Sequence, residues 1–136
     1  MKYLLDTNVC IRYLNGQSDE VRQTMDGLSP GQVALCSIVR AELLYGALKS
    51  ARSNQNMERL ACFLRGFPCL PFNEVASEAY ANIRVQLEKA GRPVGPNDLL
   101  IAAIAIANQL VLVTRNTREF GQIEGLVLED WETPAA

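Results

Sequence analysis

Residues 99–107 read Leu-Leu-Ile-Ala-Ala-Ile-Ala-Ile-Ala, nine consecutive apolar positions. The run is too long and too alanine-rich for a strand, and less than half of the roughly 20 residues that span a bilayer. It predicts a helix with no polar face, entered at Asn97-Asp98. Such a helix has to be enclosed on all sides by other parts of the chain. The chain has 136 residues, the size of a single domain, and that domain is expected to run over 1–136.

The remaining sequence alternates between short apolar runs and helical periodicity. Strands are expected at residues 3–5, 32–36, 69–72, 111–114 and 126–128; the third contains Pro71, which places it at an edge. Helices are expected at 8–14, 18–27, 38–51, 54–65 and 74–90, with a helical turn at 117–120. The clearest is 74–90, whose apolar stripe falls at 76, 79, 80, 83, 87 and 90. In 38–51 the apolar positions 43, 44, 47, 48 and 51 are expected to face the core. The alternation implies an α/β fold: a short, mostly parallel sheet sandwiched between helices.

Sheets of this type place their sites beyond the carboxyl ends of the strands. Asp6-Thr7-Asn8 follows the first strand, and Ser37 follows the second with Glu42 just inside the next helix. Asp98 opens the apolar helix, and Thr114-Arg115-Asn116-Thr117 follows the fourth strand. Three of these sets carry a carboxylate. Asp6 and Asp98 each also suit a helix cap, and Glu42 an exposed helix face. Gly46, one turn beyond Glu42, leaves open space on that face. Three carboxylates at one edge repel unless a cation or a shared proton offsets them. An oxygen-only donor set of this kind suits Mg²⁺ or Mn²⁺.

There is no histidine anywhere in the chain. That excludes Ser-His-Asp and Cys-His nucleophile systems, histidine general acid/base pairs and His-ligated zinc. Cys10, Cys36, Cys62 and Cys69 form no C-x-x-C pair, and all are expected to be buried apolar residues in a reducing compartment. Residues 1–5 show no long apolar segment or cleavage site, so a cytoplasmic protein that does not engage membranes is expected. The chemistry left open is metal-assisted phosphoryl transfer or hydrolysis.

The ordered set Leu5-Asp6-Thr7-Asn8, Ser37 with Glu42-Leu43-x-Tyr45-Gly46, Gly95-Pro96-Asn97-Asp98, Val113-Thr114-Arg115-Asn116-Thr117-Arg118-Glu119-Phe120 and Glu129-Asp130-Trp131 resembles a PIN domain. More narrowly, it resembles the VapC ribonuclease toxins of type II toxin–antitoxin pairs. The resemblance implies a Mg²⁺- or Mn²⁺-dependent endoribonuclease acting on structured RNA, often tRNA, and leaving a 3′-hydroxyl and a 5′-phosphate. It also implies a homodimer held inactive by a VapB-type antitoxin. By that resemblance the catalytic acids are Asp6, Glu42 and Asp98, with Asp6 and Asp98 on the metal. Asn116 stands where the family has a fourth acid, and Thr7, Asn8, Ser37 and Thr114 match supporting polar positions. The faces of 38–51 and 54–65, with Met57, Leu60, Ala61 and Leu64, are a candidate dimer or antitoxin groove.

Fifteen acidic residues, three of them candidate ligands, face 13 basic ones, ten of which are arginine. Arg40, Arg92, Arg115 and Arg118 flank the candidate site in sequence and are candidate phosphate contacts. Aromatic residues make up 7% of the chain, which does not indicate a base-stacking platform. A receiver-type phosphoacceptor would need adjacent acids after the first strand and a lysine after the last, and both are lacking. A phosphoaspartyl hydrolase would need an acid at Asn8. A non-catalytic RNA- or protein-binding member of the same fold remains the alternative.

Overall fold

A computed structural model describes residues 1–132, so the last four residues of the expected domain lie outside the described part. Thirteen elements follow one another in it. They are β1 (Tyr3–Leu5), α1 (Thr7–Leu14), α2 (Asp19–Asp26), a 3₁₀ turn (Pro30–Gln32), β2 (Val33–Cys36), α3 (Ser37–Lys49) and α4 (Ser53–Arg65). Then come β3 (Cys69–Leu70), α5 (Glu74–Ala90), α6 (Pro96–Ala107), β4 (Val111–Val113), α7 (Thr117–Phe120) and β5 (Leu128–Glu129).

The five strands form one sheet in the order β3-β2-β1-β4-β5, and every pairing is parallel. The expected mostly parallel sheet is therefore wholly parallel, with the Pro71-flanked strand at an edge. β1 lies at the centre: Tyr3 pairs with Val33 on one side and with Val111 on the other. The chain builds outward from β1 to β3 and then returns to the far side of β1 for β4 and β5. The strand order thus reverses between β1 and β4, and a crevice opens at their carboxyl ends.

The expected apolar helix is α6. Ile101, Ala102, Ala103, Ile104 and Ala105 are all fully buried, and α6 packs chiefly against α5. α6 starts at Pro96 with Gly95 as its N-cap, so Asn97 and Asp98 lie inside the first turn and do not introduce it. Proline favours that first position because its missing N–H has no intrahelical partner there anyway. Neither Asn97 nor Asp98 caps the helix.

Two other expectations need correction. Leu48 is 63% exposed and Ala51, beyond the end of α3, is exposed, so of the expected stripe only Leu43 is buried, with Leu44 and Ala47 half-buried. α4 packs against α3, while Leu48 and Tyr45 of α3 stay exposed to solvent. Cys10 and Cys36 are buried, and burial pushes the Cys36 thiol up to about 11. Cys62 and Cys69 are exposed: one lies on the outer side of α4 and the other on the two-residue edge strand. Apolar neighbours in sequence do not bury a residue on an outward-facing register.

Candidate active site

The crevice between β1 and β4 is bridged by one side-chain hydrogen bond. Thr114 Oγ1, immediately after β4, donates to Asp6 Oδ2, immediately after β1, at 2.8 Å. Thr114 is wholly buried and Asp6 nearly so. Asp6 Oδ1 accepts the Thr7 backbone N–H at 2.8 Å. Asp6 therefore caps α1 and belongs to the site at once, because its two oxygens serve different partners. The Asp6 N–H donates to Val113 O at 2.9 Å, which ties the ends of both strands together.

Glu42 and Asp98 come to this carboxylate from α3 and α6. Burial pushes the Asp6 carboxyl up, and the Thr114 and Thr7 hydrogen bonds counter the rise without cancelling it. Glu42 is also pushed up, first by partial burial and then by the Asp6 charge. Asp98 is pushed up to about 6 by partial burial, then by Asp6, Glu119 and Glu42. A carboxyl in the first turn of a helix gains from the helix dipole. Here desolvation and three like charges outweigh that gain.

Glu119 is the acid that the sequence reading missed. Its Oε1 accepts the Gly95 N–H at 2.7 Å, just before α6, and its Oε2 accepts from Asn116 Nδ2 at 2.8 Å. Its carboxylate is also one of the charges that push the Asp98 carboxyl up. Asn116 donates its backbone N–H to Thr114 Oγ1 at 3.0 Å, so Asn116 arranges the site while Glu119 supplies the charge. Asn116 and Glu119 stand three residues apart at the start of a helical turn, the spacing of a capping box, and that local signal was present in the sequence.

The other candidates are placed as follows. Thr7 Oγ1 is the one buried side-chain oxygen without a hydrogen-bond partner among the described residues. It lies toward Glu42 but closes no bond with it. Ser37 Oγ donates to Leu70 O at 3.3 Å, toward the edge strand, and Asn8 is exposed on α1. Arg40 lies about 200° around α3 from Glu42 at 100° per residue, and lines a different groove with Leu44, Met57 and Arg65. Arg92 lines a cavity with Tyr80, Arg84 and Pro96 beside the amino end of α6. Arg118 is exposed on α7, and Arg115 pairs with Glu132.

Beside the acids, Glu42 forms the rim of a groove with Ile11, Leu14, Leu43, Gly46 and Ala47. Nothing lies within 4 Å of where a Gly46 Cβ would stand. Leu60 and Leu64 of α4 are buried, while Met57 and Ala61 are half-buried, so that face serves mostly to pack α4 within the domain.

The donor set is all oxygen, as Mg²⁺ or Mn²⁺ would require. Coupled carboxylates and an unpartnered buried hydroxyl are features a hard cation would satisfy. Among the described residues no three acids stand close enough to enclose an ion without side-chain movement.

The PIN domain family model matches residues 3–126. The chain belongs to the PIN-domain family. Its relatives place it in the VapC branch. It is 40% identical to ribonuclease VapC2 of Rickettsia felis over 97% of this chain and 99% of that protein. It is 37% identical to the tRNA(fMet)-specific endonuclease VapC of Shigella flexneri, over 96% of this chain and 98% of that one. Among solved structures, DNA-bound VapBC of Salmonella typhimurium superposes with a TM-score of 0.91 at 36% identity, covering 96% and 98% of the two chains. VapBC2 of Rickettsia felis bound to a promoter DNA fragment superposes with a TM-score of 0.90 at 39% identity, covering 96% and 99%. The PIN fold expected from the sequence thus agrees with the family, and the sheet expected to be mostly parallel is wholly parallel.

Proposed function

We propose that this protein is a divalent-metal-dependent endoribonuclease, the toxin of a toxin–antitoxin pair, that hydrolyses structured cellular RNA and tRNA in particular. The observation that carries this reading is the convergence of Asp6, Glu42, Asp98 and Glu119 at the switch point of a parallel sheet, with Thr114 bonded across it. Repulsion within such a set disfavours the empty state and favours binding of a cation.

Asp6 and Asp98 would hold Mg²⁺ or Mn²⁺, with Glu42 and Glu119 completing the acidic set directly or through water. A cation held there would supply positive charge against the scissile phosphate and lower the pKa of an attacking water. The protein's part is to hold the donors. Thr114 and the Thr7 N–H fix both Asp6 oxygens, Glu119 ties the start of α6 to α7, and the buried sheet ends exclude bulk water from one side. One carboxylate takes the water's proton, and the cut leaves a 3′-hydroxyl and a 5′-phosphate.

A VapB-type antitoxin as partner is supported by the relatives solved as VapBC complexes and by the apolar groove next to Glu42. A homodimer belongs to the same reading. Cytoplasmic residence accords with free cysteines, and no helix among the described residues is long and apolar enough to cross a membrane.

Incubation of the purified protein with total RNA, in Mg²⁺, Mn²⁺ or EDTA, tests the proposal. Metal-dependent cleavage that is lost in Asp6→Asn and Asp98→Asn is expected. RNA left intact in both metals, or cleavage by Asp98→Asn within about tenfold of wild type, would overturn it.

A further inference from the structure

We propose that Arg12 and Arg115, held side by side by Glu132, form a contact site for a backbone phosphate of the substrate RNA at the rim of the acidic crevice. This rests on the ribonuclease reading above and specifies how that site meets its polyanionic substrate.

Arg12 on α1 donates through Nε to both Glu132 carboxylate oxygens, at 2.7 and 3.0 Å. Arg115 Nε reaches the same carboxylate at 3.1 Å. The Glu132 side chain is only 7% exposed, whereas that of Arg115 is 53% exposed. A buried carboxylate needs partners, and here the one Arg12 Nε–H is shared between both oxygens while Arg115 Nε reaches Oε2. Two guanidiniums against one carboxylate leave the triplet one positive charge in excess, carried by the more exposed Arg115; the neighbouring acid is Asp130, whose Oδ1 accepts the Glu132 N–H at 2.9 Å.

Its location fits that surplus. Arg115 directly follows Thr114, which bonds to Asp6, and Arg12 lies on the helix that Asp6 caps. RNA approaching four carboxylates meets repulsion, and a cationic rim offsets it. Arg12 Nη2 reaches Gln17 O at 3.5 Å, so the outer nitrogens of the more exposed Arg115 are the main donors toward a phosphate. Glu132 is a positioning residue in this arrangement: it pins two long side chains that would otherwise lose rotamer freedom on binding.

The test uses the full-length protein in EDTA, where cleavage is blocked, and a short fluorescein-labelled RNA hairpin followed by anisotropy between about 50 and 200 mM KCl. Arg115→Gln and Arg12→Gln should each weaken binding and reduce the slope of log K against log salt by roughly 0.7–0.9. Glu132→Ala, which keeps both charges but frees both side chains, should weaken binding without reducing the slope. Glu132→Gln, whose amide oxygen still accepts from Nε, should restore binding. Arg52→Gln, just before α4, makes the same charge change elsewhere and should leave the slope unaltered. If Arg12→Gln and Arg115→Gln behave like Arg52→Gln while wild type cleaves RNA with metal, this site is overturned and the nuclease reading stands. If wild type neither binds the hairpin nor cleaves RNA with metal, both fail.

Discussion

Asp98 offers the most quantitative test of the crowded site. Its carboxyl is pushed up from 3.8 to about 6, with partial burial as the largest cause and Asp6, Glu119 and Glu42 behind it. In the unfolded chain these groups separate and Asp98 ionises near 3.8. Between those two values the folded state binds the extra proton, so metal-free stability falls as pH rises through that window and levels off above it. At 1.36 kcal/mol per pH unit the full rise corresponds to at most about 3 kcal/mol. Asp98 is about half exposed, and screening by water and salt reduces this to about 1–2 kcal/mol. Asp98→Asn cannot ionise and escapes the penalty. For a domain of this size each kcal/mol moves Tm by roughly 3–6 °C, so Asp98→Asn should melt about 3–10 °C above wild type near pH 7.5 in EDTA. Near pH 4 the two should melt together, because wild-type Asp98 is then largely protonated in the fold. Saturating Mg²⁺ or Mn²⁺ should reverse the order at neutral pH, since metal at about 100 times Kd stabilises wild type by about 2.7 kcal/mol and the variant by less. Calorimetric scans at both pH values, in EDTA and in metal, with Glu88→Gln as a surface control, measure all of this. A Tm difference in EDTA that is the same at both pH values, or an Asp98→Asn protein that melts lower at neutral pH and responds to metal as wild type does, would refute the account of mutual repulsion.

Four further outcomes are expected. Thr114→Val removes a buried donor to a carboxylate and should cost about 1.5–3 kcal/mol of stability by urea denaturation, together with a fall in RNA cleavage. Glu119→Gln keeps an acceptor for the Gly95 N–H but removes a charge beside Asp98, so the pH-dependent part of metal-free stability should shrink; an unchanged pH profile would separate Glu119 from the site. Gly46→Leu meets open space and should raise Tm by up to about 1 kcal/mol equivalent through helix propensity, yet fill the groove and weaken capture of a cognate antitoxin. Expression without antitoxin should arrest bacterial growth and Asp6→Asn should relieve it; normal growth with folded, soluble protein would contradict the toxin reading.

The sequence by itself determined the features that depend on near neighbours. α5 begins and ends at the expected 74–90 because its boundary signals are local: Asn73 Oδ1 accepts the Ala76 N–H, and Gly91 takes the left-handed φ of +65°. α7 falls at the expected 117–120, and an all-apolar 99–107 lies within a buried helix because no face of it tolerates water. Asp6 after β1 was legible as both cap and site residue, since a strand-to-helix turn needs an acceptor there. Only the tertiary structure decided what depends on residues far apart. Strand order puts Thr114 against Asp6, 108 positions away, and creates the crevice. Glu119 reaches Gly95 across 24 positions; its spacing from Asn116 announces a helix start, but not that this acid meets α6 beside Asp98. Glu132 gathers Arg12 from 120 positions away, and nothing in the periodicity of either segment encodes that meeting. Exposure of Leu48, Cys62 and Cys69 was likewise set by which flank each helix or strand turned to its neighbours. Hydrophobic pattern specifies that a face is apolar, while packing against the other layers selects which apolar positions the core can hold.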